Sequence, residues 1–227
     1  MSTSTASPSP LRRGGINPRT LILFALAGVV LCGGAWLALG LANRGGSESP
    51  NTNGQAPRLS DYGVVPNLSL TERSGQQLSL DELKGEVWVA NFIFTRCEGS
   101  CLAMSTKMKE LQNALQQVEG VRLVSFTVDP ENDTPEKLTS FAEKYQADGR
   151  KWLFLRGSES AIQQMAKETF KLPFMDGTDP KEPIIHSSRF VLMDQQMHIR
   201  GYYGNNDPDV LKKLIADIMV LKDTGAE

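Results

Sequence analysis

The chain has 227 residues, 24 Lys and Arg against 26 Asp and Glu, a net charge of −2 and a pI near 5.8. That balance argues against a nucleic-acid-binding protein, which would be basic, and three cysteines, Cys32, Cys97 and Cys101, are too few for a disulfide-stapled mini-fold. A hydrophobic share of 40% at this length supports one cored domain plus extra segments.

Residues 1–19 contain Arg12, Arg13 and Arg19 but no acid and no apolar period, and read as a disordered cytoplasmic tail. From Leu21 to Ala42 no side chain is charged. A helix of that length rises about 33 Å, enough for a hydrocarbon core of about 30 Å, which predicts a transmembrane anchor over residues 20–42. The arginines precede it and Arg44 alone follows closely, so the positive-inside rule puts the remainder of the chain outside the cytoplasm. A cleaved signal peptide is the competing reading, with Gly40–Ala42 as the cleavage pattern, but its apolar region would run only about 7–15 residues. Cys32 lies within the span and reads as a small apolar filler. Residues 43–60 form a flexible linker, since Asn43 to Arg58 is rich in Gly, Ser, Asn and Pro.

Residues 61–222 read as a globular domain, with a short tail at 223–227. A β-hairpin is predicted around the Ser74-Gly75 turn, then a short helical turn opened by a Ser79/Glu82 capping box and ending at Gly85. VWVANFIF (87–94) is a near-continuous apolar run, as expected of a strand buried on both faces. Residues 102–117 carry Met104, Met108, Leu111 and Leu115 at helical spacing. A strand at 121–129 precedes a helix capped by Asp133 or Thr134, with Pro135 in its first turn. A strand at 152–157 and a helix from Ser158 to Phe170 come next. A long loop holds Pro173, Gly177, Pro180 and Pro183. A hairpin then pairs 188–194 with 198–204, and a last helix begins at Pro208 and runs to about Leu221. Helices alternating with buried strands imply a parallel core, and the late hairpin adds antiparallel strands. This is a thioredoxin-like α/β order with an N-terminal β-hairpin extension, preceded by one transmembrane helix.

Cys97 and Cys101 sit where the strand at 87–94 meets the next helix. A helix N-terminus stabilises thiolate, the reactive and metal-binding form. Helical i and i+4 positions place Cβ atoms about 5–6 Å apart, whereas a disulfide wants about 3.5–4.5 Å. Two thiolates on one metal, each at about 2.3 Å, have sulfurs nearly 4 Å apart. The pair therefore suits a bridging metal at least as well as a disulfide, which would require Cys97 to leave helical geometry, with Gly99 to permit it. His186, at the end of the Pro-containing loop, reads on the residues alone first as a structural histidine; its imidazole could instead complete a trigonal site of the kind that soft thiolates offer Cu(I), with zinc as the other thiophilic ion. His198 is expected to face solvent, and Met104 and Met108 to fill core beneath the site rather than bind metal. Asp129 reads as a turn cap, with a role near the thiols as the weaker alternative.

Taken together, NFIFTRC with its C-x-x-x-C, the strand end FTVDPENDTPEKL and a lone His before SRFVLMD resemble the Sco/SenC family over about residues 61–222. The resemblance implies a membrane-anchored, thioredoxin-like copper chaperone that binds Cu(I) or Cu(II) through Cys97, Cys101 and His186. It also implies a role in building the dinuclear copper centre of cytochrome c oxidase. The implied partners are the copper-bearing oxidase subunit, a copper donor and a thiol reductant. Some family members act instead as thiol–disulfide oxidoreductases, which makes Cys97 and Cys101 a redox-active pair. Glu98 and Leu102 stand where the family often has Pro after each Cys, and Ile185 where it often has Asp. The expected location is a bacterial cytoplasmic membrane, single-pass, with the C-terminal domain in the periplasm.

Overall fold

The computed structural model describes residues 59–97, 100–179 and 182–224; the side chains of residues 100–101, 174–179 and 182–186 fall outside that description. The predicted tail, the anchor over 20–42 and most of the linker also lie outside it. Among the described residues no helix is long and apolar enough to cross a membrane.

The first hairpin forms where the Ser74-Gly75 turn was expected. Strands β1 (Ser69–Glu72) and β2 (Gln77–Ser79) pair antiparallel. Gly75 takes φ of +85° and donates its N–H to the Glu72 carbonyl at 2.8 Å, a backbone conformation that L side chains seldom adopt. Glu82 Oε1 then accepts the Ser79 N–H at 2.8 Å, the acidic half of the capping box, and opens a 3-10 turn over Leu80–Leu83.

The apolar run becomes β3 (Val87–Ile93), buried at every residue. Helix α1 (Ser100–Ala114) comes after it, and Met104, Met108 and Leu111 lie buried along its stripe. Next come β4 (Val121–Thr127), α2 (Pro135–Lys144), β5 (Trp152–Arg156) and α3 (Glu159–Gln164), which continues into a π-helical turn at Met165–Thr169. Thr134, not Asp133, caps α2: its Oγ1 accepts the Lys137 N–H at 3.4 Å.

The segment expected to be a long loop contains a small sheet of its own. Strand β6 (Phe174–Asp179) pairs antiparallel with β7 (Glu182–His186), with an irregular register between Asp176 and Asp179. Both strands of a two-stranded sheet are edges, and the ladder is already broken beside Pro183, so proline is tolerated there. Strands β8 (Arg189–Met193) and β9 (Ile199–Gly204) and helix α4 (Val210–Thr224) complete the chain.

Among the described residues the main sheet has the order β2-β1-β5-β4-β3-β8-β9. Strands β3, β4 and β5 run parallel, and the two hairpins flank them with antiparallel strands. The C-terminal ends of β3, β4 and β5 therefore share one rim. Side chains of β3 alternate between faces. Val87, Val89 and Ile93 pack with α1, α2 and α4. Trp88, Ala90 and Phe92 pack with Phe126 and with Met165, Ala166 and Phe170 of the π turn and its cap. Phe92 stacks on Phe126 at 5.5 Å between centroids and meets Phe170 edge-on at 5.6 Å. Asn91 interrupts the apolar strand, but its Oδ1 accepts the Ser125 Oγ proton at 2.6 Å. Trp152 Nε1 in turn donates to Ser125 Oγ at 2.9 Å, which pairs these atoms, while Asn91 Nδ2 has no hydrogen-bond partner among the described residues.

Among the described residues, Leu59, within the stretch read as linker, already contacts the fold. Arg200 donates to the carbonyls of Leu59 at 2.7 Å and Ser60 at 2.9 Å and pairs with the buried Asp194 at 2.7 Å. The Tyr62 N–H reaches the Ile199 carbonyl at 2.9 Å, so this segment runs along β9. His198, expected in solvent, is half-buried, with Nδ1 2.8 Å from Asp61 Oδ2. The Gly63 N–H and then His198 hold the Asp61 carboxyl below its ordinary range.

Two outcomes are expected. Phe126→Ala should cost about 3–5 kcal/mol in urea unfolding, because it opens the aromatic cluster on one face of β3. The folded-state value of Asp61 lies below its unfolded one, so its stabilisation is whole above the ordinary carboxylate range and fades as pH falls through the folded value. Asp61→Asn should therefore lower the thermal midpoint at about pH 7, and the gap to the wild-type chain should close towards about pH 3. A gap that stays constant across that window would contradict the assignment.

Candidate metal centre

Strands β3 and β4 end side by side, with Ile93 opposite Thr127. Beyond β3 the chain turns sharply through Thr95 and Arg96, and the Cys97 N–H donates to the Phe94 carbonyl at 3.3 Å. Cys97 is 5% exposed, in the apolar cluster that holds Phe92, Phe94 and Phe170. It lies outside α1, which begins at Ser100, while Cys101 is the second residue of that helix. The i, i+4 separation of a regular helix therefore does not govern the pair. Cys101 lies in the first helical turn, where main-chain N–H groups without helical partners and the dipole favour a thiolate.

Two carboxylates from the segment after β4 hold the turn that leads into Cys97. Asp133, fully buried, accepts the Thr95 N–H at 3.1 Å and the Thr95 Oγ1 proton at 2.6 Å. Its other hydroxyl donor is Thr127 Oγ1, at 2.5 Å. Burial pushes the Asp133 carboxyl above its ordinary value, while these hydrogen bonds pull it down. Asp129, 6% exposed, accepts from Arg96 Nε at 2.7 Å and from Asn132 Nδ2 at 2.8 Å. The Arg96 cation is thus directed to Asp129. Asp129 and Asp133 are themselves joined, the Asp133 N–H donating to the Asp129 carbonyl at 2.8 Å.

His186 is the last residue of β7 and pairs across to Phe174. Three residues on, β8 begins. It runs antiparallel to β3 with Val191 opposite Ala90, so its start lies towards the end of β3 that leads to Cys97. Asn205 ties this region to α1: its N–H donates to the Ser188 carbonyl at 2.8 Å and its carbonyl accepts from Lys107 Nζ. The helix carrying Cys101 and the segment just after His186 are therefore both anchored on one residue. Met104 and Met108 are buried in the cluster on the face of β3 opposite to that of Cys97, which fits core filling. A donor set of two thiols and one imidazole suits a soft ion such as Cu(I).

The carboxylate grip on Thr95 and Arg96 was missed in the sequence. Its only signal was a pair of acids in VDPENDTP facing a Thr-Arg immediately before Cys97, and Asp beside Pro reads first as a turn or cap.

A model of the SCO1/SenC family matches residues 58–220. The chain belongs to the SCO1/SenC family. It is 36% identical over 160 residues to the SCO1 protein homolog of Bacillus subtilis, an alignment covering 70% of this chain and 82% of that protein. A SCO1/SenC family lipoprotein from Bacillus anthracis superposes with a TM-score of 0.64 at 31% identity, over 70% of this chain and 95% of that one. BsSco, described as a member of the Sco family of cytochrome c oxidase assembly proteins with a disulfide switch, gives a TM-score of 0.64 at 35% identity, over 74% and 97%. Arabidopsis thaliana ScoI with copper bound, at 23% identity and a TM-score of 0.60 over 71% and 99%, shares the fold.

Arg96→Met leaves the buried Asp129 without its cationic donor and should cost about 1–3 kcal/mol in urea unfolding. Arg96→Lys should recover part of that loss, and equal stability of all three chains would contradict the tie.

Proposed function

We propose that this SCO1/SenC chain is a membrane-anchored copper chaperone. It holds Cu(I) through Cys97, Cys101 and His186 and delivers it for assembly of the dinuclear copper centre of cytochrome c oxidase. The observation that supports this reading is that Cys97 follows the end of β3, beside which β8, the strand that starts three residues beyond His186, begins. The copper-bound ScoI structure and the description of BsSco as an oxidase assembly protein support it. The metal is cargo, and it passes by exchange of one ligand at a time with a partner's thiolates.

The copper-bearing oxidase subunit is the recipient, with a copper donor and a thiol reductant upstream. The reductant is required because thiols outside the cytoplasm otherwise oxidise. The uncharged stretch at 20–42 supports single-pass anchoring in a bacterial cytoplasmic membrane, with this domain in the periplasm. Leu59 is clamped near the N-terminal end of β3, so the metal rim lies about one strand length, roughly 20 Å, beyond the point where the tether joins the fold.

A second reading is favoured by the position of Cys97 outside the helix and by the disulfide switch of BsSco. The reduced pair gives two electrons and two protons to a partner's disulfide and ends as a Cys97–Cys101 disulfide.

Anaerobic dialysis of the reduced full-length chain against Cu(I) and a competing chelator tests the first reading. One copper should stay with each wild-type chain, and His186→Ala should bind at least about tenfold more weakly. Loss of copper from the wild type, or equal retention by His186→Ala, would contradict it. An equilibrium redox titration tests the second reading, which fails when no Cys97–Cys101 disulfide forms.

A further inference from the structure

We propose that Asp133 is a positioning residue for Cys97, acting through Thr95. This rests on the reading of Cys97 as a functional thiol. A fully buried carboxylate is costly unless its oxygens are well supplied with donors, and no ion pair to Asp133 occurs among the described residues. Asp133 receives three from two residues: the Thr95 N–H, the Thr95 hydroxyl and the Thr127 hydroxyl. Thr127 is the last residue of β4 and Thr95 the second residue past β3. The carboxylate therefore links the turn before Cys97 to the end of the neighbouring parallel strand. The backbone bond to Thr95 fixes the chain itself, two residues before the thiol. Asp129 grips the intervening Arg96. The turn from which Cys97 leaves the sheet is thus gripped by Asp133 and Asp129. The turn is held ready before any metal or disulfide forms, and the ordering cost is met at folding rather than at binding.

An amide cannot replace this carboxylate, since Asn offers one accepting oxygen where Asp offers two. Asp133→Asn should therefore release the turn. In the metal-free, reduced full-length chain, alkylation of Cys97, read by peptide mass mapping so that Cys32 and Cys101 are counted separately, should accelerate about tenfold as local opening becomes easier. Cu(I) affinity should fall about tenfold, as when an outer partner of a metal ligand is removed. Thr95→Val, which keeps the backbone bond and loses the hydroxyl, should show the same changes in smaller measure, and Thr95→Ser should restore wild-type values. Ile218→Ala, a core change in α4 within the cluster on the opposite face of β3 from Cys97, is the control for simple destabilisation.

Cys97 alkylation and Cu(I) affinity at wild-type values in both Asp133→Asn and Thr95→Val would overturn the proposal. So would equal acceleration in Ile218→Ala at matched stability loss. If Asp133→Asn does not fold, Thr95→Val against Thr95→Ser decides. Faster alkylation in a chain whose wild type retains no copper leaves the positioning role standing and removes the chaperone reading instead.

Discussion

The site depends on how two parallel strands end. Strands β3 and β4 finish level with each other, and β4 leads into a short acidic segment whose carboxylates fold back onto the turn after β3. The Asp133 and Asp129 hydrogen bonds to Thr95 and Arg96 convert an otherwise open turn into a fixed shelf. Cys97 sits at the end of that shelf, one residue beyond the second grip. Neutral hydrogen bonds are individually modest, but a buried carboxylate that loses its donors is expensive, so this arrangement resists distortion more strongly than its few contacts suggest.

The sheet beneath supplies the rigidity this needs. Strand β3 is buried on both faces and divides the core in two. On one side the α1 stripe with α2 and α4 packs against Val87, Val89 and Ile93; on the other Phe126 and Phe170 pack with Trp88, Ala90 and Phe92. The two candidate thiols belong to different parts of this construction. Cys97 is seated among the apolar groups of the aromatic side, whereas Cys101 belongs to a helix anchored on the opposite side. A ligand or bond joining them would couple the two layers. Lys107 and Asn205 add a second coupling, from the same helix to the segment just after His186.

Much of this was legible in the residues because it rests on local periodicity. The run 87–94 had to be a doubly buried strand, and the methionine and leucine spacing after Cys101 had to be a helix. Gly75 and Thr134 announced a turn and a cap through their own chemistry. The candidate ligands were legible as residue types, and the family resemblance brought His186 to the cysteines. What sequence could not show was long-range or masked by composition. Asp133 meets Thr95 from 38 residues away, and Asp61 meets His198 from 137 away; neither partnership leaves a trace in spacing. The β6–β7 hairpin was hidden by its Pro and Gly content, which in a pair of edge strands is no obstacle to pairing. The helical-spacing argument for Cys97 and Cys101 failed because α1 starts between them.

The central claim is that one shelf-mounted thiol, one helix-borne thiol and one distant imidazole act as a single soft-metal centre. X-ray absorption of the reduced full-length chain loaded anaerobically with one equivalent of Cu(I) tests this most directly. The expected result is a copper shell of two sulfurs at about 2.3 Å with one nitrogen ligand, and loss of the nitrogen scatterer in His186→Ala. A shell that contains no nitrogen, or one that is unchanged by His186→Ala, would contradict it.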